Sequence, residues 1–196
     1  MTTPNAADAG GWQARLTGWP GSVLAFSWGL AEGTLFFVVP DVLLTLTALF
    51  GFRAAVRQTL LAVAGALVAG LILFGWAAHS PAAAARTVQA VPFVRPAMVE
   101  KVRAGYAEAG ALALLRGPLS GIPYKLYAVE APAFTSLPAF LLASGPARLE
   151  RLAAGLLLFG AAGWLLRRRI DAAPRLAVAG HAIYWLAIYG YYWGAL

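Results

Sequence analysis

Long apolar runs, interrupted by prolines and by single charges, constrain this chain more than any other feature of its sequence. Of its 196 residues, 61% are hydrophobic and 12% are charged, whereas a soluble domain is usually about 45–50% apolar and about 25% charged. The apolar runs are long and do not alternate with the period of two that a membrane β-strand requires. The sequence therefore predicts an all-α integral membrane protein.

Most of the basic residues cluster at the ends of the apolar runs, and this placement explains the net charge of +7. Such residues orient membrane helices and contact anionic lipid headgroups, so we predict no nucleic-acid partner. The chain has no cysteine, and His79 and His181 lie far apart in the sequence, so we predict no metal site and no other cofactor. It has no Ser-His-Asp set and no phosphate-loop glycine pattern, so we do not predict an enzyme.

Proline breaks and basic segments divide the chain into parts. We predict an interfacial N-terminal segment over 1–20, a membrane domain over 21–175 and a C-terminal transmembrane helix over 176–196. Residues 51–57 read as a short basic connection. Within the membrane domain we predict a broken hairpin over 21–50, a span over 58–78, a connection over 79–111, a second broken hairpin over 112–132 and a span over 137–166.

Pro40 and Asp41 interrupt the first long apolar run, over 21–50. One helix of that length would measure about 45 Å, more than a membrane span requires. Proline also disfavours helical geometry in the residue before it. We therefore predict two half-helices, roughly 21–37 and 41–50, with Asp41 in the first turn of the second, where the helix dipole favours a carboxylate.

A second broken segment, over 114–132, is too apolar for a surface loop and too interrupted for one helix. Pro118 and Pro123 each remove a backbone donor, and two glycines loosen the chain beside them. Broken apolar segments at membrane depth are tolerated where protein buries them or where they line a polar cavity. Two such segments, each followed by a spanning helix, are typical of an inverted-repeat transporter with its site near the midplane.

Charged residues within the apolar runs cost about 2.5–3.5 kcal/mol each on insertion scales, so they are candidates for function. Arg148, Glu150 and Arg151 fall in the middle of the run 137–166. This run is either two short spans that meet at a polar turn or one long helix that carries arginines at membrane depth. On a helix, Arg148 and Arg151 would share a face and could bind one phosphate together.

Smaller patterns predict packing rather than function. Gly65 and Gly70 would let a neighbouring helix approach the span 58–78 closely. A helix over 99–110 would carry three apolar residues on one face. Four aromatic residues between 189 and 193 are typical of a membrane-interface belt.

Three stretches carry a resemblance to a known family. In AEGTLFFVVPDVLL, Glu32 and Asp41 match an acid and a Pro-Asp step, and in GIPYK the residues Pro123, Tyr124 and Lys125 match a Pro-x-Pro-Tyr-Lys motif whose first proline is Gly121 here. In FLLASGPARLER, Arg148 and Arg151 match a Gly-Arg-x-x-Arg pattern whose glycine is Ala147 here. These stretches, in this order, resemble the DedA family, also called the VTT or SNARE-associated Golgi protein domain, and most closely its YqaA-type bacterial branch.

The resemblance covers roughly residues 25–165. It implies two re-entrant hairpins that enter from opposite faces, about three full transmembrane helices, and acids and arginines that meet near the centre. It also implies a transporter or scramblase for a polyprenyl phosphate or a phospholipid, with proton coupling. The predicted substrate-binding residues are Pro123, Tyr124, Lys125, Arg148 and Arg151, and the predicted proton-coupling residues are Glu32 and Asp41.

The residues alone leave other functions and arrangements open. The same acids would serve a proton-coupled small-ion or solute transporter, and charges paired structurally would suit a scaffold that transports nothing. A homo-oligomer is compatible with the sequence.

The distribution of basic residues predicts the orientation in the membrane. Seven basic residues lie in 1–20, 51–57 and 167–175, against four in 79–111, so we predict a cytoplasmic N-terminus and an outside C-terminus. The resemblance places the chain in the bacterial inner membrane.

Overall fold

The computed structural model describes residues 6–92 and 94–194, which are mostly helical, with no strand among them. The predicted all-α class is therefore confirmed. Residues 1–5 of the predicted N-terminal segment and 195–196 of the predicted last span lie outside the described residues. The helices are α1 Ala6–Thr17, α2 Trp19–Thr34, α3 Asp41–Phe50, α4 Phe52–His79, α5 Pro81–Gln89, α6 Pro96–Ala109, α7 Ala113–Ser120, α8 Tyr124–Glu130, α9 Leu137–Leu165, α10 Arg167–Ala172 and α11 Pro174–Gly194.

One helix of the described part of the chain, α4, is long and apolar enough to cross a membrane. Helix α9 has a similar length, but Arg148, Glu150 and Arg151 lie in its middle. The number of predicted spans therefore stays a prediction.

Helices α2 and α3 form the first broken pair. Helix α3 begins at Asp41, directly after Pro40, as predicted, and α2 ends three residues earlier than predicted, at Thr34. The indole nitrogen of Trp28 donates a hydrogen bond to the Val38 carbonyl oxygen at 2.9 Å. This bond holds the irregular residues 35–40 against α2.

Helix α4 begins earlier than the sequence suggested. Residues 52–57 are helical, so the predicted basic connection over 51–57 is wrong, and Gly51 alone separates α3 from α4. The Arg57 guanidinium donates to the Thr17 carbonyl oxygen at 2.8 Å and to the Ser22 hydroxyl at 3.0 Å. These oxygens at the α1–α2 junction accept hydrogen bonds from the guanidinium, so Arg57 can lie within α4.

Helices α7 and α8 form the second broken pair, which confirms the predicted interruption. Gly121, after the last residue of α7, has a φ of 70°, a left-handed conformation that glycine adopts readily.

The predicted connection 79–111 is more ordered than expected, because it contains α5 and α6. Pro81 starts α5 instead of ending a helix, since a proline in the first turn lacks only an N–H that has no helical partner there.

The run 137–166 forms one long helix, α9, with Pro146 inside it. This resolves the two alternatives left open by the sequence. Phe140, near the start of α9, packs on Phe74 with ring centroids 5.5 Å apart. Near the end of α9, a Cβ on Gly160 would overlap the Phe52 ring, so α4 and α9 run antiparallel.

The two broken pairs approach from opposite ends of α4. The first pair returns to the start of α4, where Phe50 meets Trp12 of α1 with ring centroids 5.1 Å apart. The second pair returns to the other end, where Glu130 lies in a pocket with Ala77 and Pro81. Both breaks therefore lie midway along α4.

Glycines on α4 set the distance to both broken pairs. A Cβ on Gly65 would overlap the Phe26 carbonyl oxygen of α2, and one on Gly70 would overlap the Tyr124 hydroxyl of α8. The predicted close approach at these two glycines is confirmed.

Candidate functional site

A cavity of about 320 Å³ lies between the two breaks. All the predicted site residues line it, although they come from four helices and the break before α8. The structure thus brings the predicted set together, while the role of each residue stays a prediction. The set is Glu32, Asp41, Pro123, Tyr124, Lys125, Arg148 and Arg151.

Glu32, in the last turn of α2, pairs with Arg148, in the middle of α9. The Arg148 Nη2 donates to the Glu32 carboxylate, and the two side chains are only 5% and 8% exposed. The guanidinium also lies over the Tyr124 ring, 5.2 Å from its centroid, as a cation–π contact requires. Its Nε is buried and has no partner among the described residues, so one donor of this pair is left for another acceptor.

Asp41, the first residue of α3, pairs with Arg151, one turn after Arg148 on α9. The Arg151 Nη2 lies 3.2 Å from the Asp41 carboxylate, and the side chains are 26% and 13% exposed. This pair is longer and more open than the pair of Glu32 and Arg148. The prediction that an acid of the first hairpin reaches an arginine of 137–166 is confirmed twice.

Lys125 is the third cation at the cavity. Its Nζ donates to the Phe36 carbonyl oxygen at 2.7 Å, and the residue is 2% exposed. Within the described ranges it forms no salt bridge with a carboxylate. Three cations and two carboxylates therefore line the cavity, which leaves an excess of one positive charge when all five are ionised.

Helix α11 supplies a cavity wall that the sequence prediction missed. Trp185, Ile188 and Tyr189 line the cavity, and the Val39 backbone N–H donates to the Tyr189 hydroxyl at 3.1 Å. Tyr189 thus contacts the first broken pair, because α11 packs against α3, and its predicted place at a membrane interface stays a prediction. Tyr191 does face outwards, at 81% exposed, while the side chains of the other two predicted belt residues, 192 and 193, lie outside the described residues.

Apolar residues complete the lining. Val91, Pro92 and Val94, between α5 and α6, border the cavity with Ile122 and other apolar side chains. The sequence had placed the first three in a surface connection, and no local pattern signalled their approach to the site. The cavity thus combines a charged cluster with an apolar surface.

Two charged residues of the second hairpin lie elsewhere. The Arg103 Nε donates to the Glu130 carboxylate at 2.7 Å, and this hydrogen bond raises the pKa of the Arg103 guanidinium. Arg116 pairs with Glu108 at 2.9 Å on the surface. Neither Glu130 nor Arg116 lines the cavity, so both act in structural pairs.

The site is suited to holding an anion. Arginine and lysine side chains form strong, charge-assisted hydrogen bonds with phosphate and carboxylate oxygens. No group of three or more potential metal ligands occurs within residues 6–92 and 94–194.

No family model, curated protein or solved structure matches this chain. The fold and site thus define an all-helical protein with a basic cavity between two broken helix pairs.

Proposed function

We propose that this chain is a multi-pass membrane protein of the DedA type that moves a phosphate-bearing lipid, a polyprenyl phosphate or a phospholipid, across the bilayer. It acts as a transporter or scramblase and not as an enzyme. One observation carries the proposal: a cavity with an excess positive charge lies where two broken helix pairs meet midway along α4. Discontinuous helices that meet at a charged site are typical of membrane transporters.

The outer surface supports a membrane location. Helix α4 is long and apolar enough to span a bilayer. Helices α9 and α11 expose large apolar side chains, among them Leu142 and Trp164 at 78% and Leu186 at 72%. Apolar exposure on this scale is unfavourable in water and suits contact with lipid.

The cavity suits a lipid headgroup in size and lining. Sites for small molecules usually have volumes of about 300–1,000 Å³, and this cavity has about 320 Å³. Arg148, Arg151 and Lys125 would contact the phosphate, with Tyr124 and Pro123 beside them. Apolar residues such as Ile122 and Ile188 also line the cavity, and this favours a lipid over a small inorganic ion.

The positions of the basic segments support a cytoplasmic N-terminus in the bacterial inner membrane. Arg57 bonds to Thr17 at the start of α4, and a Cβ on Gly163 would meet the Leu49 carbonyl oxygen nearby. The three segments that together hold seven basic residues, 1–20, 51–57 and 167–175, are therefore inferred to lie at one end of the protein. By the positive-inside rule this end faces the cytoplasm.

Proton coupling follows from competition at the arginines. An ionised Glu32 or Asp41 holds its arginine, and protonation of the carboxylate releases the arginine for the phosphate. Proton binding and headgroup binding then favour each other, because each is linked to the same arginine.

Reconstituted vesicles test the proposal. The purified protein should move a labelled phospholipid or polyprenyl phosphate between leaflets, and Lys125→Met should slow this about tenfold, the effect of losing one charge-assisted hydrogen bond. Lys101→Met is the matched control, because Lys101 is exposed and does not line the cavity. Wild-type vesicles that move neither lipid, or a Lys125→Met variant that remains fully active, would contradict the proposal. Movement of a small anion without lipid would favour the solute transporter.

A further inference from the structure

One face of α11 is bonded to the first broken pair. His181, Trp185 and Tyr189 follow each other at intervals of four residues, so they share a helix face. The His181 Nε2 lies 2.9 Å from the Thr45 hydroxyl, and the Trp185 indole N–H donates to the same hydroxyl at 3.0 Å. The Tyr189 hydroxyl accepts the Val39 N–H at 3.1 Å. We name these three residues the α11 stripe.

The contacts of the α11 stripe lie on both sides of Asp41 in the chain. Val39, bonded to Tyr189, comes two residues before Asp41. The Thr45 hydroxyl, which contacts the other two stripe residues, donates to the Asp41 carbonyl oxygen at 2.6 Å. The backbone that carries the Asp41 carboxylate is thus fixed from α11 before and after the residue.

We propose that Tyr189 is a positioning residue for the pair of Asp41 and Arg151. Its hydroxyl holds the Val39 N–H, and Pro40 transmits that position to Asp41 with little freedom because its φ is fixed by its ring. This keeps the Asp41 carboxylate bonded to Arg151. Fewer N–H donors of the Arg151 guanidinium are then free to bind a phosphate. Helix α11, outside the stretch of the family resemblance, therefore sets the availability of one of the cavity cations. The ligand part of this inference rests on the proposed function, and the positional part does not.

The positional part is tested by electron paramagnetic resonance. The chain has no cysteine, so Phe37→Cys gives a single attachment point for a nitroxide, two residues from Val39. Tyr189→Phe should increase the mobility of this label, because the phenyl ring cannot accept the Val39 N–H. Tyr191→Phe is the matched control, since Tyr191 is 81% exposed. Equal label mobility in the Tyr189→Phe and Tyr191→Phe proteins would overturn the positioning role.

The ligand part is tested by a double-mutant cycle with dioctanoyl phosphatidic acid as the probe. Tyr189→Phe should tighten binding about threefold, within the range for one neutral hydrogen bond. The effect should vanish in Asp41→Asn, which has no carboxylate to position, and persist in Glu32→Gln. An equal effect of Tyr189→Phe in the Asp41→Asn background would overturn the ligand part. If the wild-type protein does not bind the probe, the proposed function and the ligand part fail together, and label mobility alone decides the positioning role.

Discussion

The guanidinium of Arg148 donates a hydrogen bond to the carboxylate of Glu32, which lies 116 residues earlier in the chain. Both side chains are less than a tenth exposed. A buried ion pair of this kind contributes little net stability, because desolvation offsets the attraction between the charges. Each partner nevertheless depends on the other, since a single charge left behind is strongly unfavourable.

Removal of one partner of this pair should therefore destabilise the protein. Glu32→Leu and Arg148→Met should each lower the free energy of unfolding by about 3–5 kcal/mol, and the double variant should lose less than the sum. Unfolding by SDS in mixed micelles measures this. Arg167→Met is the control, because its pair with Asp171 is 67% and 62% exposed and exposed pairs contribute little. Single variants as stable as the wild type would exclude a buried, coupled pair.

A lysine at position 148 should not support lipid transfer at the rate that Arg148 does. Arg148→Lys keeps the charge but removes the planar guanidinium that bonds Glu32 and lies over the Tyr124 ring. We expect lipid transfer in vesicles to fall about tenfold, the change that accompanies about 1.4 kcal/mol. Arg116→Lys, at an exposed pair outside the cavity, should transfer lipid at the wild-type rate. Full activity of Arg148→Lys would show that charge alone suffices.

Phosphate-lipid binding should strengthen as the pH falls, because a protonated carboxylate no longer competes for an arginine. Each carboxylate holds one arginine of the cavity, so replacing both should remove the pH dependence. Lipid affinity measured over a pH series in Asp41→Asn, Glu32→Gln and the double variant tests this. Unchanged pH dependence in the double variant would contradict the coupling.

Two glycines of α4 should respond differently to the same substitution. Gly65→Ala places a methyl group on the Phe26 carbonyl oxygen, whereas Gly75→Ala meets no atom within 4 Å. Gly65→Ala should lower the free energy of unfolding by about 1–3 kcal/mol, the usual cost of overpacking. Gly75→Ala should be neutral or slightly stabilising, because alanine is the better helix former. Equal unfolding curves would mean that α2 and α4 can separate without cost.

The orientation has a direct test. A reporter that is active only in the cytoplasm should function at the N-terminus and fail at the C-terminus, because the positive-inside rule predicts that the end richest in arginine faces the cytoplasm. A reporter active only outside should give the opposite result. Cytoplasmic activity at both termini would show that the number of spans is even, contrary to the prediction.

Local signals in the sequence predicted the breaks and the charge pairing. Pro40 and Asp41 define the start of α3 because proline acts on its immediate neighbours. The meeting of acids and arginines was implied by the family resemblance, and it is consistent with the cost of isolated charges in lipid. Both inferences agree with the structure.

Features that depend on tertiary packing were not predicted. Arg57 lies within α4 because the α1–α2 junction supplies hydrogen-bond acceptors for its guanidinium. No residue near Arg57 in the sequence indicates that this junction lies beside it. Tyr189 reaches the cavity because α11 packs along α3. The spacing of residues 181, 185 and 189 was a usable signal, since three hydrogen-bonding side chains on one apolar face suggest contact with protein rather than lipid.

The long separation of the charged partners also has a consequence for synthesis of the protein. At a translation rate of about 5–20 residues per second, a ribosome needs roughly 6–23 s to pass from Glu32 to Arg148. During this interval the first broken pair carries two carboxylates whose arginines do not yet exist. The two carboxylates must therefore be hydrated or otherwise compensated until α9 emerges and completes the cluster.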